Sequence, residues 1–341
     1  MHEHDPLLPF GWSDRWAALN ADIASPSGQP GRVVRHDGAA LLVATAAGSA
    51  HVRATTEPAT VGDWVVVEDG AVRAVLARAS LLARRDPGRA GGQQLLAANV
   101  DVVVVVCGLD RPTKAGRIAR SAALAWEAGA VPAVVLTKAD LSPDAAERRA
   151  IVAGANPGVD VLVASARLAS GLEAVRALAL GRTVVLVGES GAGKSSLANA
   201  LLGEDAVATG AVRRGDAKGR HTTSARQLFP LPGGGVLIDS PGIRAVGLWG
   251  GAEAVDRTFA DVDELSGDCR FADCAHVGEP GCAVAAAVAE GRLAEARLAS
   301  WLALRREAAA TERRASEREK RRYEKAFSRL AKEAQRRKGR R

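Results

Sequence analysis

One short stretch of this 341-residue chain limits its possible folds more than any other. The apolar, β-branched run at 183–187 leads directly into GESGAGKS at 188–195, and a helix-forming segment follows at 197–202. The spacing G-x-x-x-x-G-K-S between a strand and a helix is typical of a phosphate-binding loop. Its glycines let backbone N–H groups turn toward phosphate oxygens, and the helix N-terminus adds the positive end of its dipole. The sequence therefore predicts a nucleotide-binding α/β domain; the alternative is a glycine-rich turn that carries GKS by chance.

Each part of this loop has an expected role. We expect Lys194 to reach the β- and γ-phosphates of a nucleotide and the Ser195 hydroxyl to bind Mg²⁺. The other positions expected to surround the phosphates are Gly188, Glu189, Ser190, Gly191, Ala192, Gly193 and Ser196. A nucleotide bound together with Mg²⁺ is the resulting prediction.

Two further motifs follow predicted strands and concern the base. Thr137, Lys138, Ala139 and Asp140 come after the apolar run 131–136 and resemble the guanine-specifying N-K-x-D motif of GTPases. A carboxylate at the last position can accept hydrogen bonds from guanine N1–H and the exocyclic amine, a donor pair that adenine does not offer. Ser165, Ala166 and Arg167, after the run 159–164, resemble the S-A-K motif whose backbone contacts guanine O6. These motifs favour GTP; an ATP-using phosphate-loop protein is the alternative.

The segments that would sense the γ-phosphate lie further along the chain. DSPG at 239–242 fits D-x-x-G, which places Asp239 near the Mg²⁺ and the Gly242 amide toward the γ-phosphate. His221-Thr222-Thr223 lies in the interval where switch I belongs, and Thr223 is the preferred Mg²⁺ ligand there.

The order of these motifs is unusual. A Ras-like domain begins with the phosphate loop and ends with N-K-x-D and S-A-K, whereas here those two motifs precede it. Such a circular permutation is tolerated when the original chain ends lie close together. Its consequence is that the next domain follows directly after D-x-x-G.

The residue that activates water in Ras-like GTPases is also replaced in this sequence. Ras-like GTPases carry a glutamine just after D-x-x-G that orients the attacking water, but Ile243 stands at this position. We therefore expect slow intrinsic hydrolysis. His221 is the candidate catalytic residue, since an imidazole can position or deprotonate water. The alternative is that His221 contacts RNA or packs within a loop.

A metal site is predicted beyond the switch segments. Cys269, Cys274, His276 and Cys282 supply three thiolates and one imidazole within 14 residues. This donor set suits tetrahedral Zn²⁺ and leaves no open position, so we expect one structural zinc per chain. An iron–sulfur cluster or unliganded cysteines are the alternatives. Cys107 ends an apolar run and is expected to be a small buried hydrophobic residue.

The rest of the chain divides by pattern. Short β-type runs separated by Gly and Asp fill 28–90 and predict a small antiparallel barrel. Apolar strands alternate with helical stretches over 91–247, which predicts a parallel α/β sheet. A mainly helical zinc-binding domain is expected at 248–304. The chain begins with an N-terminal segment at 1–27 and ends with a basic helical tail at 305–341.

Charge is concentrated in that tail. The whole chain carries +7, but 305–341 alone holds 16 Lys or Arg and 6 Asp or Glu, a net +10. This points to a polyanion partner, the alternative being a solvated helix that keeps the protein soluble. No apolar run reaches the roughly 18 residues of a membrane span. Residues 1–10 lack the pattern of a secretory signal, so a cytoplasmic location is expected.

Together these motifs resemble one family, the circularly permuted bacterial GTPase RsgA (YjeQ), which depends on the small ribosomal subunit. The similar segments span nearly the whole chain: VGD at 61–63, R-x-S-x-x-x-R at 78–84, ANVD at 98–101, GESGAGKSSL at 188–197, GRHTTS at 219–224, DSPG at 239–242 and C-x4-C-x-H-x5-CAV at 269–284.

The resemblance implies an N-terminal OB-fold, a central permuted GTPase domain and a C-terminal zinc domain. It also implies binding to the 30S subunit and its 16S rRNA late in subunit maturation, with hydrolysis of GTP to GDP and phosphate stimulated by the subunit. We expect a monomer. Two other classes stay open: an RNA-binding protein that uses its nucleotide site only for binding, and a helicase-like ATPase.

Two departures from the family pattern affect these expectations. Thr137 replaces the asparagine of N-K-x-D, and its hydroxyl can make part of the same contact, so guanine affinity is expected to fall while Asp140 keeps specificity. The barrel region contains a single aromatic residue, Trp64, which leaves little scope for base stacking. We therefore expect contact with folded rRNA through its backbone and shape, helped by arginines at 32, 35, 53 and 78.

Overall fold

The computed structural model describes residues 5–23, 27–38, 40–54, 57–85, 93–204, 206–207, 226–239, 252–313 and 316–317. Within these ranges, no helix combines the length and the apolar character needed to cross a membrane. The predicted site residues His221, Thr223 and Gly242, together with Ile243 and most of the basic tail, lie outside them.

The predicted barrel is present and has five strands. They are β1 (Gln29–Asp37), β2 (Ala40–Thr45), β3 (Gly48–Arg53), β4 (Trp64–Glu68) and β5 (Ala71–Val75). β1 pairs with both β2 and β4, and all pairings are antiparallel except the closing contact of β3 with β5. Valine and leucine side chains fill the interior, namely Val33, Leu41, Val43, Val52, Val65 and Val72.

The N-terminal segment packs against this barrel. It contains a 3₁₀ turn (Leu8–Phe10) and helix α1 (Asp14–Ala21). The rings of Trp12 and Trp16 lie 4.8 and 5.9 Å from the ring of the fully buried Trp64. Three indoles thus form one apolar cluster, which explains the aromatic residues near the start of the sequence.

A hairpin that sequence patterns did not predict connects the barrel to the next domain. Its strands, β6 (Leu81–Arg85) and β7 (Gln93–Ala98), pair antiparallel. The domain boundary predicted at residue 90 falls between the two strands. Asn99 fixes the exit from the hairpin, since its side chain accepts from Ala79 N and donates to Gly62 O.

The α/β domain has the predicted parallel sheet. Its order is β10-β9-β8-β11-β13-β12, formed by β8 (Val102–Gly108), β9 (Val131–Thr137), β10 (Asp160–Val163), β11 (Thr183–Gly188), β12 (Gln227–Pro230) and β13 (Val236–Asp239). Only β12 runs antiparallel to its neighbour β13. Because successive side chains of a strand point to opposite faces, the valines of β8 contribute to two separate hydrophobic cores, one on each face of the sheet.

Helices cover both faces of this sheet. α2 (Ala115–Glu127) and α3 (Ala145–Ala155) pack on one face with Val103 and Val105. α4 (Leu172–Ala179) and α5 (Lys194–Leu202) pack on the other face with Val102 and Val104. α4 and β12 were not predicted, because the first is short and the second has only four residues.

The barrel and the α/β domain are joined through backbone and through one buried arginine. β1 pairs with β12 at Arg35 and Gln227, which makes a continuous sheet of eleven strands in the described part of the chain. Arg32 on the same strand donates to Phe10 O, to Gly62 O (3.3 Å) and to Thr183 Oγ1 (2.8 Å). Its side chain connects the N-terminal segment, the barrel and the first residue of β11.

The expectation that arginines of the barrel face RNA is wrong for Arg32. Its side chain is 1% exposed and lies 5.3 Å from the Trp64 ring. Burial lowers the pKa of Arg32 to about 10, although Asp101 and Asp63 partly oppose this shift. Arg78 is also held by internal contacts, because its guanidinium donates twice to the buried Asp63 carboxylate.

The C-terminal region is helical, as predicted. It comprises α6 (Ala252–Thr258), α7 (Ala260–Ser266), α8 (Ala283–Ala289) and a further helix α9 over 295–313. Its core contains Val255, Phe259 and Trp301. The buried Arg297 donates to both oxygens of Asp261 and to Ala155 O at the end of α3. The helical region is therefore attached to the α/β domain.

Arg32→Ala should destabilise the protein by about 2–4 kcal/mol, since it leaves a cavity and removes the donors to Phe10 O and Thr183 Oγ1 at the junction. Urea unfolding followed by tryptophan fluorescence measures this directly, because Trp64 lies beside the substitution. Arg35→Ala on the same strand is the matched control. Its partly exposed pair with Asp37 should contribute less than about 1 kcal/mol. Equal unfolding midpoints for the two variants would contradict the junction role of Arg32.

Candidate functional site

The candidate site lies where the carboxyl ends of five parallel strands meet. β8, β9, β10, β11 and β13 all end at this edge of the sheet. The loops that follow them carry the motifs found in the sequence. Parallel strands in register explain why segments as distant in sequence as Gly108 and Asp239 converge here.

The phosphate loop connects β11 to α5, as predicted. Gly188 has φ +150°, and a Cβ at this position would lie 2.4 Å from Val106 O, so only glycine fits. Gly193, with φ +89°, is the residue just before α5. Lys194 donates to the carbonyls of Gly188 (2.9 Å) and Glu189 (2.7 Å). Its ammonium thus lies inside the loop.

Oxygen donors suited to Mg²⁺ flank this lysine. Ser195 is in the first turn of α5, and Asp239 ends β13 on the neighbouring strand. Burial raises the pKa of the Asp239 carboxyl, while the charge of Lys194 opposes the shift. A hydroxyl and a carboxylate are the hard ligands that Mg²⁺ prefers, so these residues fit the ion.

The base loops bring Asp140 and Ser165 together. The Ser165 hydroxyl donates to Asp140 Oδ1 at 2.5 Å, and Arg167 Nε lies 3.0 Å from Asp140 Oδ2. The Ser165 hydrogen bond, assisted by the charge of Arg167, lowers the pKa of the Asp140 carboxyl. An ionised carboxylate that accepts hydrogen bonds is therefore held at the end of β9.

Thr137 links these base loops to the phosphate loop. It is buried, and its hydroxyl donates to Ala192 O at 2.5 Å. A Cβ on Gly193 would lie 3.2 Å from the Thr137 hydroxyl oxygen. The residue that departs from the N-K-x-D pattern therefore bridges from the end of β9 to the phosphate loop after β11, across the intervening strand β8.

Sequence analysis missed the loop after β8. Asp110 there pairs with Lys138 at 2.8 Å and with Arg111 at 3.1 Å. The hydrogen bonds from Arg111 and Lys138 lower the pKa of Asp110 to about 2. Arg148 on α3 fixes the loop by donating to Leu109 O at 2.6 Å. The signal was available, since an acidic residue follows directly after a buried strand that enters this same edge.

A cavity of about 360 Å³ lies between the phosphate loop and α2. An ion pair between Arg117 and Glu189 spans it. Cys107 lines it and packs partly against the apolar core. Burial raises the pKa of the Cys107 thiol to about 11, so this cysteine is protonated at neutral pH and is not a nucleophile.

The four predicted metal ligands form one cluster. The ligand atoms of Cys269, Cys274, His276 and Cys282 all lie within 4.8 Å of one another. His276 Nδ1 lies 3.4 Å from Cys282 Sγ and 3.6 Å from Cys269 Sγ. Three thiolates and one imidazole at such separations fit a tetrahedral zinc ion with all four positions filled by protein.

Fold and site together define a class. A phosphate loop after a parallel strand, a carboxylate at the base loop and a base loop that precedes the phosphate loop are the features of a circularly permuted P-loop GTPase. Residues 75–249 match the RsgA GTPase family.

Known proteins agree with this class. "Small ribosomal subunit biogenesis GTPase RsgA" of Streptomyces coelicolor is 49% identical over 320 residues, 89% of this chain and 87% of that protein. The protein of the same name from Xanthomonas axonopodis pv. citri is 40% identical over 328 residues, 90% of each chain. This chain belongs to the RsgA GTPase family and is a GTP hydrolase.

Solved structures show the same fold. YjeQ from Thermotoga maritima superposes with a TM-score of 0.60 at 26% identity, covering 81% of this chain and 97% of that one. YloQ, described as a circularly permuted GTPase, superposes with a TM-score of 0.56 at 22% identity, covering 85% and 97%. The permuted motif order therefore coincides with a shared architecture.

Freshly purified protein should contain one zinc per chain, and Cys282→Ala should lose it, because the variant leaves only three ligands. Metal-binding free energy is folding free energy, so the thermal transition of the helical region should move to lower temperature. Cys107→Ala, which removes the remaining cysteine of the chain, is the control and should keep its zinc. Elemental analysis decides: full zinc content in Cys282→Ala would contradict the site.

Proposed function

We propose that this protein binds GTP, with Mg²⁺, and hydrolyses it to GDP and phosphate on the small (30S) ribosomal subunit during late subunit maturation. The observation that carries the nucleotide assignment is the Thr137–Ala192 hydrogen bond. It joins the loop of Asp140 to the phosphate loop, so base and phosphates are recognised by one connected unit. The ribosomal role is supported by the names of the relatives.

The nucleotide would engage residues that already have internal partners. Asp140 accepts the guanine N1–H and amine, and the Ala166 backbone donates to guanine O6. Lys194 leaves the Gly188 and Glu189 carbonyls for the β- and γ-phosphates. The phosphate-facing positions are those of the loop 188–196, together with Gly242. Lys138 stays near Asp110 and shapes the base side of the site.

Mg²⁺ would be held by Ser195, Thr223 and Asp239. When bound, it neutralises charge that develops on the phosphate oxygens. Ser195 supplies its hydroxyl from the first turn of α5, and Asp239 supplies a half-buried carboxylate at the adjacent strand end. The zinc cluster has a structural role instead, because its four protein ligands leave no position for a substrate.

The charge of the C-terminal tail and the names of the relatives both support a ribosomal partner. The tail at 305–341 carries +10, which suits the phosphate backbone of 16S rRNA. Of the barrel arginines, Arg53 is exposed, whereas Arg32 is buried in the domain junction. We therefore assign RNA contact to the exposed basic residues and to the tail. A cytoplasmic monomer is the form proposed for this function.

Ile243 stands in place of the water-orienting glutamine, so hydrolysis by the protein alone should be slow. Single-turnover hydrolysis measured alone and with 30S, 50S and 70S particles tests the dependence on the small subunit. The proposed function requires slow hydrolysis alone and strong stimulation by 30S subunits. Equal rates under all four conditions would contradict it.

Asp140→Asn should weaken GDP and GTP binding by about 10–100-fold, because an amide mismatches one of the two guanine donors. It should improve binding of xanthosine nucleotides, whose base has a carbonyl where guanine has its amine. The matched control is Asp144→Asn, the same change on a nearby carboxylate that accepts from Ser142. Isothermal titration with both nucleotides measures the switch. An Asp140→Asn protein with unchanged guanine affinity would refute the base assignment.

His221→Ala should lower 30S-stimulated turnover by about 10²–10⁴-fold, the contribution of a group that positions or deprotonates water. Binding of GTP and of 30S subunits should persist, and both are measured in parallel. Loss of 30S binding together with normal turnover at saturating subunit would instead make His221 an RNA contact.

A further inference from the structure

We propose that Arg167 is an internal competitor at the base site: its guanidinium pairs with the Asp140 carboxylate, and guanine must displace it to bind. The proposal rests on the proposed function, in which Asp140 accepts the guanine donors. It adds an internal competitor that sets how readily the site accepts a base.

The contacts around Asp140 show that both of its oxygens are engaged. Ser165 donates to Oδ1, while Arg167 Nε lies 3.0 Å from Oδ2. The Asp140 side chain is only 7% exposed, whereas that of Arg167 is 74% exposed. The arginine therefore approaches from the solvent side, which is the side from which a nucleotide must arrive.

The chemistry of the two competing groups is closely matched. The N1–C2–N2 fragment of guanine is itself guanidine-like, with N–H donors in one plane, as in the arginine fork. Adenine has no such fragment. A carboxylate offers about four acceptor positions, so the Ser165 hydrogen bond can persist while guanine replaces Arg167 at Oδ2. The internal contact thus mimics the base that the site selects.

Only the arginine side chain has to move for this exchange. The loop backbone is fixed by paired hydrogen bonds between Ser165 and Ser170 (2.9 and 3.1 Å). The amide of Leu168 donates to Ser165 Oγ at 3.2 Å. An exposed ion pair only weakly stabilises the form in which Arg167 pairs with Asp140. Apparent nucleotide affinity falls with the fraction of molecules in which Asp140 is free of Arg167, so the expected effect on affinity is about two- to fivefold.

The test is the association kinetics of a fluorescent GDP analogue with the full chain. Arg167→Ala should raise the association rate constant about two- to fivefold at low salt and leave dissociation unchanged. The gain should shrink at high salt, which screens the wild-type ion pair. Arg292→Ala is the matched control, because it removes an arginine from an exposed pair with Glu290 (2.7 Å) in the helical region without touching Asp140. Its association rate should not rise.

A double-mutant comparison links the effect to Asp140 itself. In Asp140→Asn, assayed with a fluorescent xanthosine diphosphate analogue, Arg167→Ala should change nothing, because the amide carries no charge to pair with. Unchanged association in the single variant, faster dissociation, or an equal gain in both backgrounds would each overturn the proposal. Failure of wild-type protein to bind guanine nucleotides would instead overturn the proposed function.

Discussion

The position of the phosphate loop depends on one buried guanidinium. Arg32 holds Phe10, Gly62 and Thr183 together, and Thr183 begins the six-residue strand that ends at Gly188. The Asp101 carboxylate accepts from Thr183 N at 2.7 Å, which fixes the same strand end from the other side. Because β1 also pairs with β12, the barrel and the strand that carries the loop form one hydrogen-bonded body.

Arginines with internal partners occur at three junctions in the described part of this protein, and two of them, Arg32 and Arg297, are buried. Arg32 joins the barrel to β11, Arg78 holds Asp63 beside the hairpin, and Arg297 ties Asp261 to the end of α3. Each junction presents several carbonyl or carboxylate oxygens that must be satisfied when water is excluded. A planar group with five N–H donors meets this demand better than any other side chain. Part of the basic composition is therefore structural and unavailable to a polyanion.

The site itself is held in a form in which its cations already have internal partners. Lys194 lies on loop carbonyls, Lys138 on Asp110 and Arg167 on Asp140. Under the proposed function, Lys194 and Arg167 leave these partners when a nucleotide binds, whereas Lys138 stays on Asp110. Binding at these two positions is then an exchange of contacts, so the nucleotide must offer Lys194 better acceptors, and Asp140 better donors, than the protein does.

The local motifs were determined by sequence alone, because their chemistry depends on short spacing. The glycines of 188–193 and the ligands of 269–282 lie within one loop each, so the phosphate loop and the thiol cluster could be predicted. The alternation of apolar runs likewise predicted the barrel and the parallel sheet. Tertiary structure alone decided the rest: that Thr137 reaches Ala192, that Asp110 joins the site, and that Arg32 faces inward while Arg167 covers Asp140. These outcomes depend on which distant segments the sheet brings together, and an arginine looks the same in sequence whether packing buries it or leaves it in water.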